Sequence, residues 1–313
     1  MRVVITGGAG FIGANLVRVL LDDGDDVVVL DDLSTGAAVN LEGLDAPLVE
    51  GSILDVDLVR KTFRGADAVV HLAARGSVPK SVADPMASHE RNATGTAVVL
   101  EAVRAEGAPH LVFASSSSVY GANPELPRHE GLVPMPVSPY AASKLANEAY
   151  IRSWAACYDL SALVFRFFNV FGPKQPPRHA YAAVVPAFVW AAMEGRPLPV
   201  HGDGSQTRDF TYVADVCAVL ADAVHRRVTA EGPVNLAFGT RVSLLEVIAD
   251  LEAILGRPLE RAHEQVRAGD VPDSQADPTL LCSLFPEAGV TSIRDGLSAT
   301  VCWFESGPSF APE

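Results

Sequence analysis

Residues 3–13 read Val-Val-Ile-Thr-Gly-Gly-Ala-Gly-Phe-Ile-Gly, and the fold turns on how this stretch is interpreted. A β-branched run ends on Gly8, Gly10 and Gly13 at GxGxxG spacing, Gly7 adds freedom to the turn, and Ile12 to Leu21 is apolar in the manner of a helix. A strand that turns tightly into a helix on glycines lets a pyrophosphate approach the helix N-terminal N–H groups. Such turns also arise for packing alone, so the motif needs a second signal. Asp31 supplies it, at the end of VVVL (27–30) and 18 residues beyond Gly13. A carboxylate there accepts from both ribose hydroxyls and repels a 2'-phosphate, which favours NAD over NADP. Its neighbour Asp32 reads as part of the same acidic turn.

Working outward, β-branched runs recur at 68–72 (AVVHL) and 110–115 (HLVFAS). Helices are expected from about Asp84 to Ala105 and from Tyr140 to Tyr158, the latter followed by LSALVFRFFNV. This alternation predicts an α/β chain with a Rossmann-type doubly wound parallel sheet. After Gly172, the stretches GPKQPPRHAY and GRPLPVHGDGS mark a smaller, irregular α/β substrate lobe, while 210–239 resumes helix and strand periodicity. The expected organisation is therefore a dinucleotide domain at 1–170, rejoined by 210–240, a second lobe at 171–209 and 241–305, and a frayed tail at 306–313.

A chain of 313 residues, 49% apolar and 20% charged, is too long for a small stapled scaffold, and no apolar run approaches 18 residues. The net charge of -14, from 38 acidic against 24 basic residues, repels nucleic acid and anionic membranes, so neither is an expected partner. A phosphate-bearing ligand then needs locally placed donors. Cys157, Cys217, Cys282 and Cys302 lack CxxC spacing and read as buried thiols of a reducing compartment, and no histidines stand at metal-binding spacing. MRVVITGG enters a strand without a signal peptide, which makes the cytoplasm the expected location.

Tyr140 and Lys144 in YAASK stand one turn apart on a helix face. An ammonium beside a phenol favours the phenolate, so the expectation is a phenol brought toward neutrality as a general base. FASSSSVYG, about 20 residues earlier at a strand end, offers hydroxyls to the same substrate oxygen. Together TGGAGFIG, Asp31, HLAA at 71–74, SSSSVYG at 115–121 and YAASK resemble the extended short-chain dehydrogenase/reductase superfamily, in its NAD-dependent nucleotide-sugar epimerase/dehydratase branch, over nearly the whole chain.

The resemblance implies Ser116, Tyr140 and Lys144 as the catalytic set. It puts NAD against Gly7, Gly10, Phe11, Ile12, Gly13, Asp31, Asp32, Ser34, Ser52, Ile53, Leu72, Ala73, Ala74 and Asn92, besides Tyr140 and Lys144. Ser52 stands where relatives commonly carry an Asp near the adenine. A UDP-sugar partner is implied at Ser116, Ser117, Ser118, Asn169, Val185, Val200, His201, Arg208, Arg267, Asp270 and Ser274. Two arginines suit a diphosphate in an acidic protein, since each offers a planar donor fork. A homodimer through helices around 88–105 and 140–158 is also implied.

Dehydratases of this branch resemble one another in an Asp-Glu pair after the catalytic hydroxyl, and UDP-xylose-forming relatives carry a Glu at the second place. Here those places are Ser117 and Ser118. What remains is chemistry that needs only Tyr, Lys, Ser and NAD, which is inversion of C4 of a UDP-hexose through a transient 4-keto sugar. The small Ser274 leaves room for an N-acetyl group. Arg75, Arg178, Ser117 and Ser118 are also able to meet a C6 carboxylate, so neutral, N-acetylated and uronic sugars stay open. A dehydratase with an unusual acid/base pair and a non-catalytic NAD-binding protein are the other readings.

Overall fold

The glycine turn joins β1 (Arg2–Thr6) to α1 (Phe11–Asp22), and the computed structural model, which describes residues 1–107, 109–177, 183–265 and 273–307, grows from that joint. β2 (Asp26–Asp31) and β3 (Leu48–Glu50) extend the sheet on one side of β1, and α2 (Val56–Phe63) carries the chain across to β4 (Ala68–His71) on the other. α3 (Val78–Ala83), α4 (Pro85–His89) and α5 (Gly95–Ala105) lead to β5 (His110–Ser116), and α6 (Pro139–Tyr158) leads to β6 (Ala162–Phe167). The second half runs β7 (Val170–Phe171), α7 (Val184–Met193), β8 (Leu198–His201), β9 (Thr207–Arg208), β10 (Thr211–Tyr212), α8 (Val213–Arg226) and β11 (Val234–Leu236). It ends with β12 (Val242–Ser243), α9 (Leu244–Leu255), β13 (Arg261–Glu264), α10 (Thr279–Leu284) and α11 (Ile293–Glu305).

Seven strands pair in parallel in the order β11-β6-β5-β4-β1-β2-β3, the doubly wound sheet expected from the alternation. Chain direction across the sheet reverses at β1 and β4, and ligands of such sheets bind in the crevice beyond the strand ends at that point. The apolar side chains of β1 and β4 are wholly buried because helices cover both faces. Leu16 and Leu20 of α1 meet Val216 and Leu220 of α8 on one face, while Phe63, Leu100, Val103 and Ile151 of α2, α5 and α6 fill the other. A separate cluster, with Phe188, Val189, Val247, Leu251, Leu297 and Phe304, joins α7, α9 and α11 to β8. No described helix is long and apolar enough to cross a membrane.

Three expectations are revised. The helix expected from 84 to 105 is interrupted by a π turn at Glu90–Thr94, between α4 and α5. Asn92 in that turn is drawn into a buried hydrogen-bond cluster, and Gly95 closes on Ile53, where a Cβ would meet Cδ1 at 2.5 Å. β3 was not foreseen, since its three residues, two half-covered and one exposed, carry no alternation. Of the four thiols only Cys217 is buried; Cys157, Cys282 and Cys302 lie on exposed positions of α6, α10 and α11.

Candidate active site

A cavity of about 950 Å³ opens at the reversal point of the sheet, near the upper end of the roughly 300–1,000 Å³ usual for ligand pockets. Its floor is the glycine turn. Gly7 takes φ +73°, open to glycine at little cost, and a Cβ on Gly13 would meet the Gly7 carbonyl oxygen at 2.3 Å. α1 starts at Gly10 with no side-chain cap and no acidic residue in its first turn, so its N-terminal N–H groups are free to face an anion. Asp31, 7% exposed, accepts Ala9 N–H and Leu33 N–H at 2.9 Å each, one on either carboxylate oxygen. Each oxygen keeps further capacity to accept, while burial pushes the carboxyl above its usual range. Glycine cradle, uncapped helix end and oriented carboxylate together fit a dinucleotide.

Of the residues expected at the cofactor, Gly7, Gly10, Phe11, Ile12 and Gly13 line this cavity, as do Asp31, Asp32 and Ser34. Ser52 and Ile53 form another part of the wall, and Leu72, Ala73 and Ala74 a third. Asn92 does not. Its Oδ1 accepts Arg75 N–H at 2.7 Å and its Nδ2 donates to Ser143 Oγ at 3.1 Å, so the buried amide fastens the 72–77 loop from behind.

Tyr140, Ser116 and Lys144 meet at the far wall. β5 ends at Ser116, and a tight turn follows because Gly121 adopts φ +49°, where a Cβ would fall 1.9 Å from Met135 O. Ser138 caps α6 by accepting Ala141 N–H, Pro139 opens its first turn, and the Tyr140 N–H finds Ser81 Oγ at 3.1 Å. The helix start thus fixes the depth of the phenol.

The electrostatics depart from the expected phenolate. Burial pushes the Tyr140 phenol up, and only its hydrogen bond with Ser116 works the other way. Lys144 Nζ instead donates to Ala114 O at 2.6 Å and lies 4.8 Å from the Phe113 ring centre. Burial brings this ammonium down to about 8, still charged at neutral pH, with Glu148 opposing the shift. His71, hydrogen-bonded to Thr6 and Thr96, is pushed to about 3 by burial and stays neutral.

The residues expected at a UDP-sugar divide. Ser116, Ser117 and Asn169 line the cavity; the Asn169 side chain donates Nδ2 to Asp209 O at 3.2 Å, and its backbone carbonyl accepts Thr211 N–H at 3.1 Å. Ser118 is not on the wall, and its buried hydroxyl has no partner among the described residues. Val185 and Val200 are not on the wall, because both are buried in the apolar cluster of the second lobe. His201 meets Gln265 O at 3.2 Å, and Arg208 and Ser274 both bond the Thr207 carbonyl, all outside the cavity lining. Arg178, Arg267 and Asp270 lie outside the described residues.

Sequence reasoning passed over Lys80, Arg91, Lys174 and Gln175, which line the cavity. Lys174 reaches the Asn40 carbonyl, and Asn15 Nδ2 donates to Pro173 O at 3.0 Å, so the 173–177 segment is strapped to the first lobe. The cations put positive charge on the cavity wall of a protein whose net charge is -14. Of these, only Lys174 stood in a proline-rich stretch, GPKQPP, and nothing in the local sequence of Arg91 marks it. No described group of three or more His, Cys, Asp or Glu is arranged to hold a metal.

Residues 3–237 match the NAD dependent epimerase/dehydratase family. The chain is 37% identical to a UDP-glucose 4-epimerase of Mycolicibacterium smegmatis, over 98% of this chain and 99% of that protein. A UDP-N-acetylglucosamine 4-epimerase from Methanobrevibacter ruminantium, solved with UDP-N-acetylmuramic acid, superimposes with a TM-score of 0.93 at 34% identity, covering 97% of this chain and 98% of that one. A UDP-glucuronic acid 4-epimerase from Bacillus cereus, solved with UDP-glucuronic acid and NAD, gives 0.89 at 29% identity, covering 98% and 99%.

Proposed function

The chain belongs to the NAD-dependent epimerase/dehydratase family, and within it we propose that it is a UDP-sugar 4-epimerase acting on UDP-glucose/galactose or the N-acetylhexosamine pair. The observation that carries this reading is the meeting of Tyr140, Ser116 and Lys144 on a wall shared with the glycine turn, with serines, not an acid/base pair, at 117 and 118. Residues 1–170 with 210–240 form the cofactor domain in this reading, and 171–209 with 241–305 the sugar-nucleotide lobe.

NAD, when bound along Gly7 to Gly13 and Asp31, supplies reversible hydride acceptance. The protein's own groups handle the proton. Tyr140 exchanges a proton with the C4 oxygen, Ser116 hydrogen-bonds the same oxygen, and Lys144 holds positive charge where the phenolate needs it. Since the buried phenol starts protonated, the cation one turn away must be charged for the phenolate to form. Anchoring through the diphosphate with weak contacts to the hexose lets the keto sugar present its other face. Asn169 is the described candidate for diphosphate contact, with Lys174 and Arg91 adding cationic potential.

A second reading, a UDP-glucuronate 4-epimerase, draws support from the buried Ser118 hydroxyl next to Ser117, which has no partner among the described residues, with Arg75 on the cavity wall paired to Asp84 at 3.1 Å. Separate incubations with UDP-glucose, UDP-N-acetylglucosamine and UDP-glucuronate, followed by product resolution, test both. A C4 epimer supports the proposal and its sugar identifies the substrate, whereas loss of water would make the protein a dehydratase. We further propose a homodimer through α5 and α6, where Tyr150 and Tyr158 are exposed beside Trp154; a monomeric mass by light scattering would refute it.

A further inference from the structure

Behind the wall of the cavity lies an ion pair whose side chains are 3% and 8% exposed. Arg166 of β6 grips Glu148 of α6 twice, Nε to Oε1 at 3.0 Å and Nη2 to Oε2 at 2.7 Å. Ser115 of β5 donates its hydroxyl to the same Oε1 at 2.5 Å, and Ser115 and Arg166 are direct partners across β5 and β6. One carboxylate thereby ties a helix and two strands together at a single level.

Two of those elements carry the reacting groups. Ser115 stands between Ala114, whose carbonyl takes the Lys144 ammonium, and Ser116, which meets the Tyr140 phenol. Tyr140, Lys144 and Glu148 recur at four-residue spacing and share one side of α6. A slip of α6 by one residue's rise, about 1.5 Å, would part Lys144 from Ala114 and Tyr140 from Ser116 together.

Stability alone is a poor reason for so buried a pair, because apolar side chains of similar volume often serve as well or better. An apolar replacement would lack the charge. Lys144, one turn beyond Tyr140 on α6, faces neutral His71 on β4 and the Ala114 carbonyl and Phe113 ring on β5. Glu148 is the anion that favours its charged form, with Arg166 on β6 beyond it.

We propose that Glu148 is a positioning residue, setting α6 against β5 through Arg166 and Ser115 and so holding the Lys144 side chain at the Ala114 carbonyl and Tyr140 at Ser116. The proposal rests on the reading of Tyr140, Lys144 and Ser116 as the reacting set.

Glu148→Gln keeps the shape and an acceptor but removes the charge. Lys144 is one of four lysines, so NMR of protein labelled at lysine Cε can follow its titration whether or not any sugar turns over. The expected result is a Lys144 midpoint lower by roughly one pH unit, with the alkaline limb of kcat moving down alongside it. kcat at neutral pH falls roughly tenfold to a hundredfold while KM stays within about twofold, since Glu148 is not on the cavity wall. An unmoved Lys144 midpoint overturns the proposal. Because a lone buried arginine can unfold the protein, the double variant Glu148→Met/Arg166→Met removes both charges. With melting restored, kcat still reduced supports positioning, and full recovery of kcat overturns it. Wild-type protein inert toward every UDP-sugar would sink the epimerase reading instead, leaving the Lys144 titration to decide this one.

Discussion

The dinucleotide end of the cavity and the second lobe were read from the same sequence with different success, and the contrast lies in what each asks of the chain. At the first, backbone does much of the work: a turn at Gly7, a helix start at Gly10, a strand end at Asp31. Contiguous residues specify each. In the second lobe, His201 ends β8, Arg208 ends β9, and the Ser274 N–H reaches the Thr207 carbonyl from a distant part of the chain, among strands of two to four residues. Contacts made by scattered side chains leave no local pattern.

The sharpest break in that contrast would come at Tyr140. Tyr140→Phe should lower kcat about 10³–10⁴-fold, with UDP affinity by calorimetry nearly unchanged; near-normal turnover would remove the first lobe's claim to the chemistry. Lys144→Met should cost about 10²-fold or more in kcat, yet melt no earlier than wild type at pH 7. The sign follows from burial: Lys144 titrates near 8 when folded, below its ordinary value, so the buried ammonium opposes folding in full below pH 8. That penalty fades as pH rises toward about 10.4, so the melting advantage of the variant should shrink over this interval.

Gly13→Ala tests the backbone argument directly. A Cβ 2.3 Å from Gly7 O and 2.6 Å from Gly8 Cα forces the turn open, so the purified protein should carry little NAD by absorbance and lose roughly 1–3 kcal/mol of stability. The smallest effect belongs to the second lobe. Val200→Ala should cost roughly 1–2 kcal/mol in denaturant melts while leaving KM for a UDP-sugar unchanged, as a core residue would. A raised KM would return Val200 to the ligand.

Some of what was missed could be deduced once β8 was known. Its burial alternates, Leu198 and Val200 inward, Pro199 and His201 half-covered, and neighbours on a strand face opposite ways. Val200 and His201 therefore cannot both turn their side chains to one ligand. Asn92 escaped for another reason, since helical periodicity forecasts a continuous helix and gives no warning of a π turn. YAASK, by contrast, announced its geometry, because the Ser138 cap, Pro139 and the four-residue spacing all sit within one helix start. Its electrostatics were not legible: the ammonium binds a carbonyl on β5, a contact across 30 residues.

The edge strand β11 bears on how far this molecule can be divided. It completes the sheet beside β6 with chain that has already passed through β7, α7 and β8. A fragment ending near residue 170 would leave the amides and carbonyls of β6 without their neighbour, an open template for joining another chain. Neither lobe is a cassette to be excised or grafted, and splitting the protein for engineering calls for a cut outside the loop that returns the chain to its own sheet.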